Sequence, residues 1–176
     1  MKYFLPDWDD RVDPGFDFKT ERFTLQRTPR DDIYAHELFK EKVYDGILVS
    51  RMALREKGKK REEAEKIGLR NYLRLPAEYE LMGDCGAFGY INEERPPFDT
   101  DHIIDYYEKM RFDLAVSVDH IVIPAFEDQN ETRYKITVDN ALEFLTESKR
   151  RQVDFTPVGA VQGWNIPTYV EAAITL

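Results

Sequence analysis

The chain is poor in cysteine and histidine and has no long apolar run, and each shortage excludes a class of protein. A single cysteine, Cys85, cannot form a disulfide within the chain. The three histidines, His36, His102 and His120, show none of the spacings that metal sites use. No stretch approaches the roughly 20 apolar residues of a membrane-spanning helix, and no apolar signal segment opens the sequence. We therefore expect a cytoplasmic protein with no membrane segment and no metal site in these residues.

Basic charge is also in short supply, because 25 lysines and arginines face 34 aspartates and glutamates, for a net charge of −9. This balance argues against a wide, non-specific phosphate-binding surface, which needs a basic face. Residues 51–74 depart from it, with nine basic and four acidic residues. We interpret this stretch as a solvated helical face with pairs such as Glu62–Lys66, and the alternative is a phosphate contact beside a site.

Residues 1–40 show no regular hydrophobic period, although aromatic residues make up 13% of the whole chain and recur here. The aromatic residues in this segment include Phe4, Trp8, Phe16, Phe18 and Phe23. Prolines interrupt the stretch, so we expect an irregular segment that packs its aromatic rings on the rest of the protein. Four carboxylates occur in the same stretch: Asp7, Asp9, Asp10 and Asp13. They lack the ligand spacing and closing glutamate of a calcium loop, so a turn-forming role is the interpretation.

Short apolar runs alternate with helical patterns in residues 41–176, which is typical of parallel α/β folds. The predicted strands are Gly46–Ser50, 79–84, 114–119 and 157–162. The predicted helices are residues 60–74, residues 100–111, a helix capped by Thr137, and residues 169–176. No Gly-x-Gly-x-x-Gly loop follows the first predicted strand, which disfavours a dinucleotide-binding open sheet.

Four βα units amount to about half of an eight-stranded (β/α)8 barrel of the TIM type. The sequence stops inside a helical pattern without a capping residue. We therefore expect the N-terminal half of such a barrel, in which residues 41–176 form the first four βα units and residues 1–40 precede them. Such a half barrel would expose a strand edge and apolar faces, and we expect it to be poorly soluble by itself.

Three of the predicted strands end in a polar side chain, namely Asp84, Asp119 or Gln162. Ligands bind at the carboxyl ends of parallel strands, so these three are candidate site residues. Small residues and then Phe88 follow Asp84, which lets a flat ring approach the backbone and stack. Each residue also has a structural alternative: Asp84 can cap a tight turn, Asp119 can join a salt bridge or a cap, and Gln162 can bond loop backbone.

Three motifs resemble those of the tRNA-guanine transglycosylases, in the same order and at similar spacing. Residues 83–88, Gly-Asp-Cys-Gly-Ala-Phe, look like the family's Asp-Ser-Gly-Gly-Phe/Tyr-Gln motif. The strand ending in Asp119 is similar to its base-recognising aspartate strand, and residues 159–163, Gly-Ala-Val-Gln-Gly, resemble its Gly-Ile-Val-Gln-Gly segment. The opening residues 5–14 look more like the DNA-modifying (DpdA-type) branch, which exchanges guanine in DNA for a 7-deazaguanine.

The resemblance implies a role for each matched residue. Asp84 would be the general acid/base, and Phe88 would stack on the exchanged base. The edge of that base would be read by Asp119, Gln162 and Gly163. Cys85 stands where the family usually has a serine and would contact the base through its backbone or its sulfur. Gly89 replaces the usual glutamine, so the resemblance does not carry over that side-chain contact.

The resemblance also implies a pentosyltransferase that works through a covalent glycosyl-enzyme, with DNA as substrate and a base such as 7-cyano-7-deazaguanine as co-substrate. A tRNA-acting enzyme is the alternative. The family's nucleophilic aspartate and its structural zinc site lie further along its chain, so this segment should hold no cofactor and be inactive alone. Homo-oligomer formation and binding to partner proteins of a modification system are both possible. Two other functions are alternatives: a non-catalytic nucleobase-binding barrel fragment, and a hydrolase or lyase that uses Asp84 and Asp119 on another ring.

Overall fold

The fold is described by a computed structural model over residues 1–6, 11–25, 28, 31–54 and 58–176. The strands are β1 Phe4–Pro6, β2 Arg11–Val12, β3 Ile33–Tyr34, β4 Gly46–Ser50, β5 Glu80–Asp84, β6 Leu114–Val116 and β7 Thr156–Val158. The α-helices are α1 Lys59–Ile67, α2 Leu69–Tyr72, α3 Thr100–Met110, α4 Asn130–Arg151 and α5 Ile166–Thr175. Short 3-10 helices cover Ala35–Glu37, Ala87–Tyr90 and Pro124–Gln129.

Five strands form one sheet in the order β1-β4-β5-β6-β7, and each of these neighbours pairs in parallel. A separate antiparallel ribbon joins β2 to β3. The predicted α/β class with a parallel sheet is confirmed, and helices α3 and α4 follow their strands as in a partial (β/α) barrel. The register places Ser50 beside Asp84, so the carboxyl ends of β4 and β5 lie at the same edge.

The sheet has one strand more than the four predicted. Residues 4–6, which the hydrophobic pattern assigned to the irregular segment, pair in parallel with Gly46–Leu48 as an edge strand. Three residues that end in a proline are too short to show a strand period, and an edge position tolerates that proline. Two predicted strands are also too long, because β6 ends at Val116 and β7 at Val158. Asp119 and Gln162 consequently lie on the loops that follow.

Helix α3 agrees with its prediction, and the Asp99 side chain caps it by accepting a hydrogen bond from the amide of His102. The cap predicted for Thr137 is wrong, because α4 begins seven residues earlier at Asn130. Thr137 is buried inside that helix, where its hydroxyl donates to the carbonyl of Arg133 and accepts from the amide of His120. Residues 60–74 are not one helix either, because Gly68 adopts φ +86° and separates α1 from α2.

The core lies between the sheet and helices α3 and α4. Tyr107, Phe144 and Phe155 are buried there and meet in edge-to-face and stacked contacts. Gly83 of β5 has no room for a side chain, because a Cβ would lie 2.6 Å from Cε1 of Tyr107. This close approach of α3 fixes the strand immediately before Asp84.

Two further expectations concern the periphery. Asp13 does form a turn, since its carboxylate accepts hydrogen bonds from the amides of Gly15 and Thr24. The other acidic residues of that proposed turn, Asp7, Asp9 and Asp10, lie outside the described residues. Within the described ranges, no helix has both the length and the apolar character that crossing a bilayer requires.

Candidate functional site

Strand β5 places Asp84 at the carboxyl edge of the sheet, and a tight turn follows. Gly86 enters the left-handed region at φ +82°, and a Cβ there would lie 2.5 Å from Oγ of Ser50. The amide of Gly86 donates to Oδ2 of Asp84 at 2.9 Å. The hydroxyl of Ser50 donates to the same carboxylate. Asp84 therefore closes the turn, as the structural alternative supposed, and also presents a carboxyl group at the carboxyl edge of the sheet, where parallel α/β folds usually bind ligands.

The environment of Asp84 favours its protonated form. Burial is the largest cause and the negative charge of Asp119 the second, and together they raise the pKa of Asp84 to about 6. The hydrogen bonds from Gly86 and Ser50 act in the opposite direction. A carboxyl group with a pKa near 6 can both accept and release a proton close to neutral pH, which is what general acid/base chemistry needs.

Asp119 lies three residues beyond the end of β6, and only 8% of it is exposed. Its Oδ1 accepts a hydrogen bond from the thiol of Cys85 at 3.0 Å. Its Oδ2 accepts one from Nε2 of Gln162 at 2.7 Å. In the described part of the chain, the partners of this carboxylate are thus neutral donors, and Gln162 contacts Asp119 rather than loop backbone. The structure brings three sequence-predicted residues together here.

Cys85 is fully buried, and its sulfur is directed away from solvent. Besides Asp119, the sulfur contacts the hydroxyl of Tyr90 at 3.0 Å. That hydroxyl donates to the backbone carbonyl of Asp119 at 2.8 Å. Burial, and then the charges of Asp119 and Asp84, raise the pKa of the Cys85 thiol well above its usual range. A contact between Cys85 and a base would therefore have to use the backbone.

Phe88 differs from these residues because its side chain is 78% exposed, on the short helix after the Asp84 turn. An exposed ring that closely follows a half-buried acid in the chain is free to stack on a flat ligand. A side chain at Gly89 would collide with Met52, whose Cε lies 2.6 Å from the position of a Cβ. A Cβ on Gly163 would lie 2.8 Å from Oγ1 of Thr168, so glycine lets this loop close on α5.

Three residues that contact the candidate site residues or their loops were not predicted from the sequence: Ser50, Tyr90 and Ser117. Ser50 ends β4, so the rule of polar strand ends would have found it. Tyr90 and Ser117 carry no comparable signal, because both act through contacts between distant loops. The hydroxyl of Ser117 accepts a hydrogen bond from the amide of Ala160 at 2.9 Å and so joins the loops that carry Asp119 and Gln162.

The loop around Asp119 is anchored from α4. His120 makes structural hydrogen bonds, with Nε2 at 2.9 Å from the carbonyl of Glu93 and its amide bonded to Thr137. Buried Arg133 donates to the carbonyls of Ile91 and Ile121. It thereby ties the loop after Tyr90 to the loop after Asp119, and both loops border the site.

Several described basic side chains of residues 51–74 already contact other groups. Arg51 is buried, with its guanidinium 3.6 Å from the centre of the Phe98 ring and 3.0 Å from Nε2 of His102. In the basic stretch of residues 51–74, three arginines form ion pairs: Arg61 with Glu65, Arg70 with Asp113, and Arg74 with Glu37. These pairs support the interpretation of a solvated face. A groove of about 840 Å³ is lined by the loop after Asp119 and the loop after Gln162, with Gly163 and Trp164 in its wall, but Asp84 itself does not line it. It is acidic, with carboxylates from Glu127, Asp128 and Glu131. In the described part of the chain, no group of three or more His, Cys, Asp or Glu side chains could hold a metal ion.

The chain thus has a parallel α/β sheet as in a partial (β/α) barrel, and the half-buried Asp84, the buried Asp119 and Gln162 lie at or beyond its carboxyl edge. The chain is 37% identical to a DNA-guanine transglycosylase of Salmonella montevideo over 199 aligned positions, which cover all of this chain and 47% of that relative. The chain thus spans about half the length of the curated relative it matches. No family model matches the chain. This match over the whole chain confirms the resemblance to the DNA-modifying branch of the tRNA-guanine transglycosylase superfamily.

Proposed function

We propose that the protein that contains this chain exchanges guanine in DNA for another base, and that this chain supplies the base-binding part of the site. The carrying observation is the cluster at the carboxyl edge, where Asp84 has a pKa of about 6 beside an Asp119–Gln162 pair held at 2.7 Å. The similarity to a protein named DNA-guanine transglycosylase supports both the substrate and the reaction.

The incoming base in this proposal is a 7-deazaguanine, and the reaction has two steps. In the first, a carboxylate contributed by the remainder of the protein bonds to C1′ of the deoxyribose, and the bond from C1′ to N9 of guanine breaks. In the second, N9 of the incoming base bonds to C1′, the carboxylate leaves, and the N9 proton passes to a base. Asp84 fills both proton roles, as the acid for the departing guanine and the base for the incoming ring.

Recognition of the ring uses the neighbouring groups. Asp119 accepts one hydrogen bond on each oxygen and retains lone pairs for the N1–H and amino group of a guanine-like edge. The carbonyl oxygen of Gln162 and the amide of Gly163 add an acceptor and a donor. Phe88 stacks on the ring face. A base inside a duplex must leave the stack to reach this edge, which costs a few kcal/mol.

The ion pairs of Arg61, Arg70 and Arg74 and the acidic groove support a role for the described residues in binding the base rather than the phosphate backbone. Contacts to DNA phosphates then come from other parts of the protein. A structural zinc ion bound outside this chain belongs to the same proposal, and metal analysis of the protein from the complete reading frame tests it.

The deciding experiment offers labelled guanine to the protein from the complete reading frame, with duplex DNA and tRNA in parallel reactions. We expect label in DNA and none in tRNA, and we expect unlabelled 7-deazaguanine to reduce the incorporated label. Label in tRNA alone would assign the tRNA reaction instead. Guanine binding without incorporation into either polymer would make the protein a nucleobase-binding module.

A further inference from the structure

We propose that Cys85 is a positioning residue, whose thiol proton holds the Asp119 carboxylate in the orientation that reads the base. Its sulfur is then neither a nucleophile nor a contact to the ring. This inference rests on the proposed function, because it assigns the role of Asp119 from the base-exchange reaction.

Asp119 accepts hydrogen bonds both on its side chain and on its backbone carbonyl. On its side chain, the Cys85 thiol lies 3.0 Å from Oδ1, and Nε2 of Gln162 lies 2.7 Å from Oδ2. On its backbone, the hydroxyl of Tyr90 lies 2.8 Å from the carbonyl oxygen. A planar carboxylate with a donor on each oxygen cannot rotate without losing a hydrogen bond. Its remaining lone pairs therefore point in fixed directions.

The number of available protons decides which hydrogen bonds the Cys85 thiol and the Tyr90 hydroxyl donate. The thiol and the hydroxyl of Tyr90 make three close contacts with each other and with Asp119, but they carry only two protons. An ionised carboxylate and a carbonyl can only accept. The thiol proton therefore goes to Oδ1 and the hydroxyl proton to the carbonyl oxygen. The 3.0 Å contact between sulfur and hydroxyl then places two polarisable groups side by side.

The same surroundings exclude a nucleophilic thiolate. The reactive form of cysteine is the anion, and reactive cysteines lie in electropositive, partly exposed places. Cys85 is fully buried, and the nearest charges are the two carboxylates Asp84 and Asp119. Both burial and these charges raise the pKa of the thiol, which keeps the proton on sulfur. A donor role needs that proton, so the environment suits positioning and opposes attack on C1′.

The test compares Cys85→Ala with Cys85→Ser in the protein from the complete reading frame. The alanine variant removes the donor to Oδ1, and we expect the Kd for labelled guanine and the KM for the incoming base to rise about tenfold, the size of one hydrogen bond to a charged group. We expect kcat to change less than about threefold, because the lost interaction binds ground state and transition state alike. Serine keeps a donor, so Cys85→Ser should restore Kd and KM to near wild-type values.

A matched control separates positioning from packing. Ile104→Val removes one methylene from a fully buried residue of α3 outside the cluster, and should lower stability without changing the Kd for guanine. Equal losses in Cys85→Ala and Cys85→Ser, or an unchanged Kd in Cys85→Ala, would overturn the positioning role. Loss of catalysis in Cys85→Ser with intact guanine binding would also overturn it, in favour of a nucleophilic sulfur.

Alkylation gives a readout that does not depend on activity. We expect the peptide that contains Cys85 to stay unlabelled by iodoacetamide in the native protein and to be labelled after unfolding in urea. Rapid labelling of native Cys85 would place its sulfur in the pocket and contradict the inference. If the wild-type protein binds guanine but exchanges none, the proposed function fails while the Kd comparison still decides the role of Cys85. If it binds no guanine, both fail.

Discussion

The two edges of the parallel sheet hold their carboxylates in opposite ways. At the amino edge, Glu80 opens β5 and Asp113 precedes β6. Both form ion pairs in partly exposed positions, Glu80 with Lys2 and Asp113 with Arg70. Asp113 also accepts a hydrogen bond from the amide of Leu81, so this edge uses its acids to fasten strands and helices together.

At the carboxyl edge, the same two strands lead to Asp84, which is half-buried, and to Asp119, which is buried. Their partners in the described residues are neutral donors: Gly86, Ser50, Cys85 and Gln162. Burial without a cation is costly and shifts a carboxyl group toward its protonated form. The pKa of Asp84 is accordingly raised to about 6.

This difference separates acids that support the fold from acids suited to chemistry. An exposed ion pair contributes roughly 0–1 kcal/mol and has no unusual proton affinity to offer. A buried acid without a cation lowers stability and gains a proton affinity useful near neutral pH. Variants at matched positions on the two edges test this separation directly.

The largest effect is expected from Asp84→Asn, which keeps the shape of the side chain but removes its proton chemistry. We expect base exchange to fall by about 10²- to 10⁴-fold, the usual contribution of a general acid/base. Incorporation of labelled guanine into DNA measures it. The control is Glu80→Gln, at the opposite end of the same strand, which should exchange at the wild-type rate. Equal activity in both variants would remove Asp84 from the mechanism.

A smaller loss is expected from Asp119→Asn. The new amide would direct a donor toward either Cys85 or Gln162, and it would offer the base edge one acceptor fewer. We expect the Kd for guanine to rise between about tenfold and a hundredfold, as for a lost hydrogen bond to a charged group. Equilibrium dialysis checks this value. Asp113→Asn, on the amino side of the neighbouring strand, should leave the Kd unchanged, and a similar change in both variants would contradict the comparison.

Much of this contrast is visible in the sequence, because strand ends can be located from local pattern. Gly46–Ser50 and the end of β5 at Asp84 were predicted at their observed positions, since apolar runs bounded by polar residues are local signals. β1 was missed because its pairing with β4, 42 residues further along the chain, defines it more than its three residues do. The start of α4 was misplaced because Thr137 satisfies its hydroxyl inside the helix, which a capping rule cannot foresee.

The positions of the candidate site residues along the fold were easier to predict than the contacts between them. Asp84, Asp119 and Gln162 were each expected at a strand end, although the last two lie on loops beyond β6 and β7. Gln162 and Cys85 both donate to the carboxylate of Asp119. These contacts depend on how the segments after β5, β6 and β7 pack against one another. Side chains 34 and 43 residues from Asp119 supply those bonds, and no local pattern encodes such a meeting.

A third prediction concerns stability and its dependence on pH. Because the folded-state pKa of Asp84 is raised from 3.8 to about 6, the folded protein binds more protons than the unfolded chain between these values. The contribution of Asp84 to stability therefore falls as pH rises from about 4 to about 6, and stays low above that. We expect Asp84→Asn to be more stable than the wild type by up to about 3 kcal/mol at pH 7.5, from a shift of about two pKa units. Urea unfolding at pH 4 should show little difference, and a wild type favoured by higher pH would contradict this assignment.

The smallest effect is expected at the amino edge, from Lys2→Met. Lys2 and Glu80 are 54% and 33% exposed at their side chains, so their ion pair contributes at most about 1 kcal/mol and is screened by salt. Urea unfolding in 0.05 M and 1 M sodium chloride should show a small loss that disappears at the higher concentration. The stabilisation by Asp84→Asn should persist in 1 M salt, because it arises mainly from desolvation of a buried group. If the two edges responded to salt alike, the carboxylates of the carboxyl edge would be as hydrated as those of the amino edge, and the raised pKa of Asp84 would lose its physical basis.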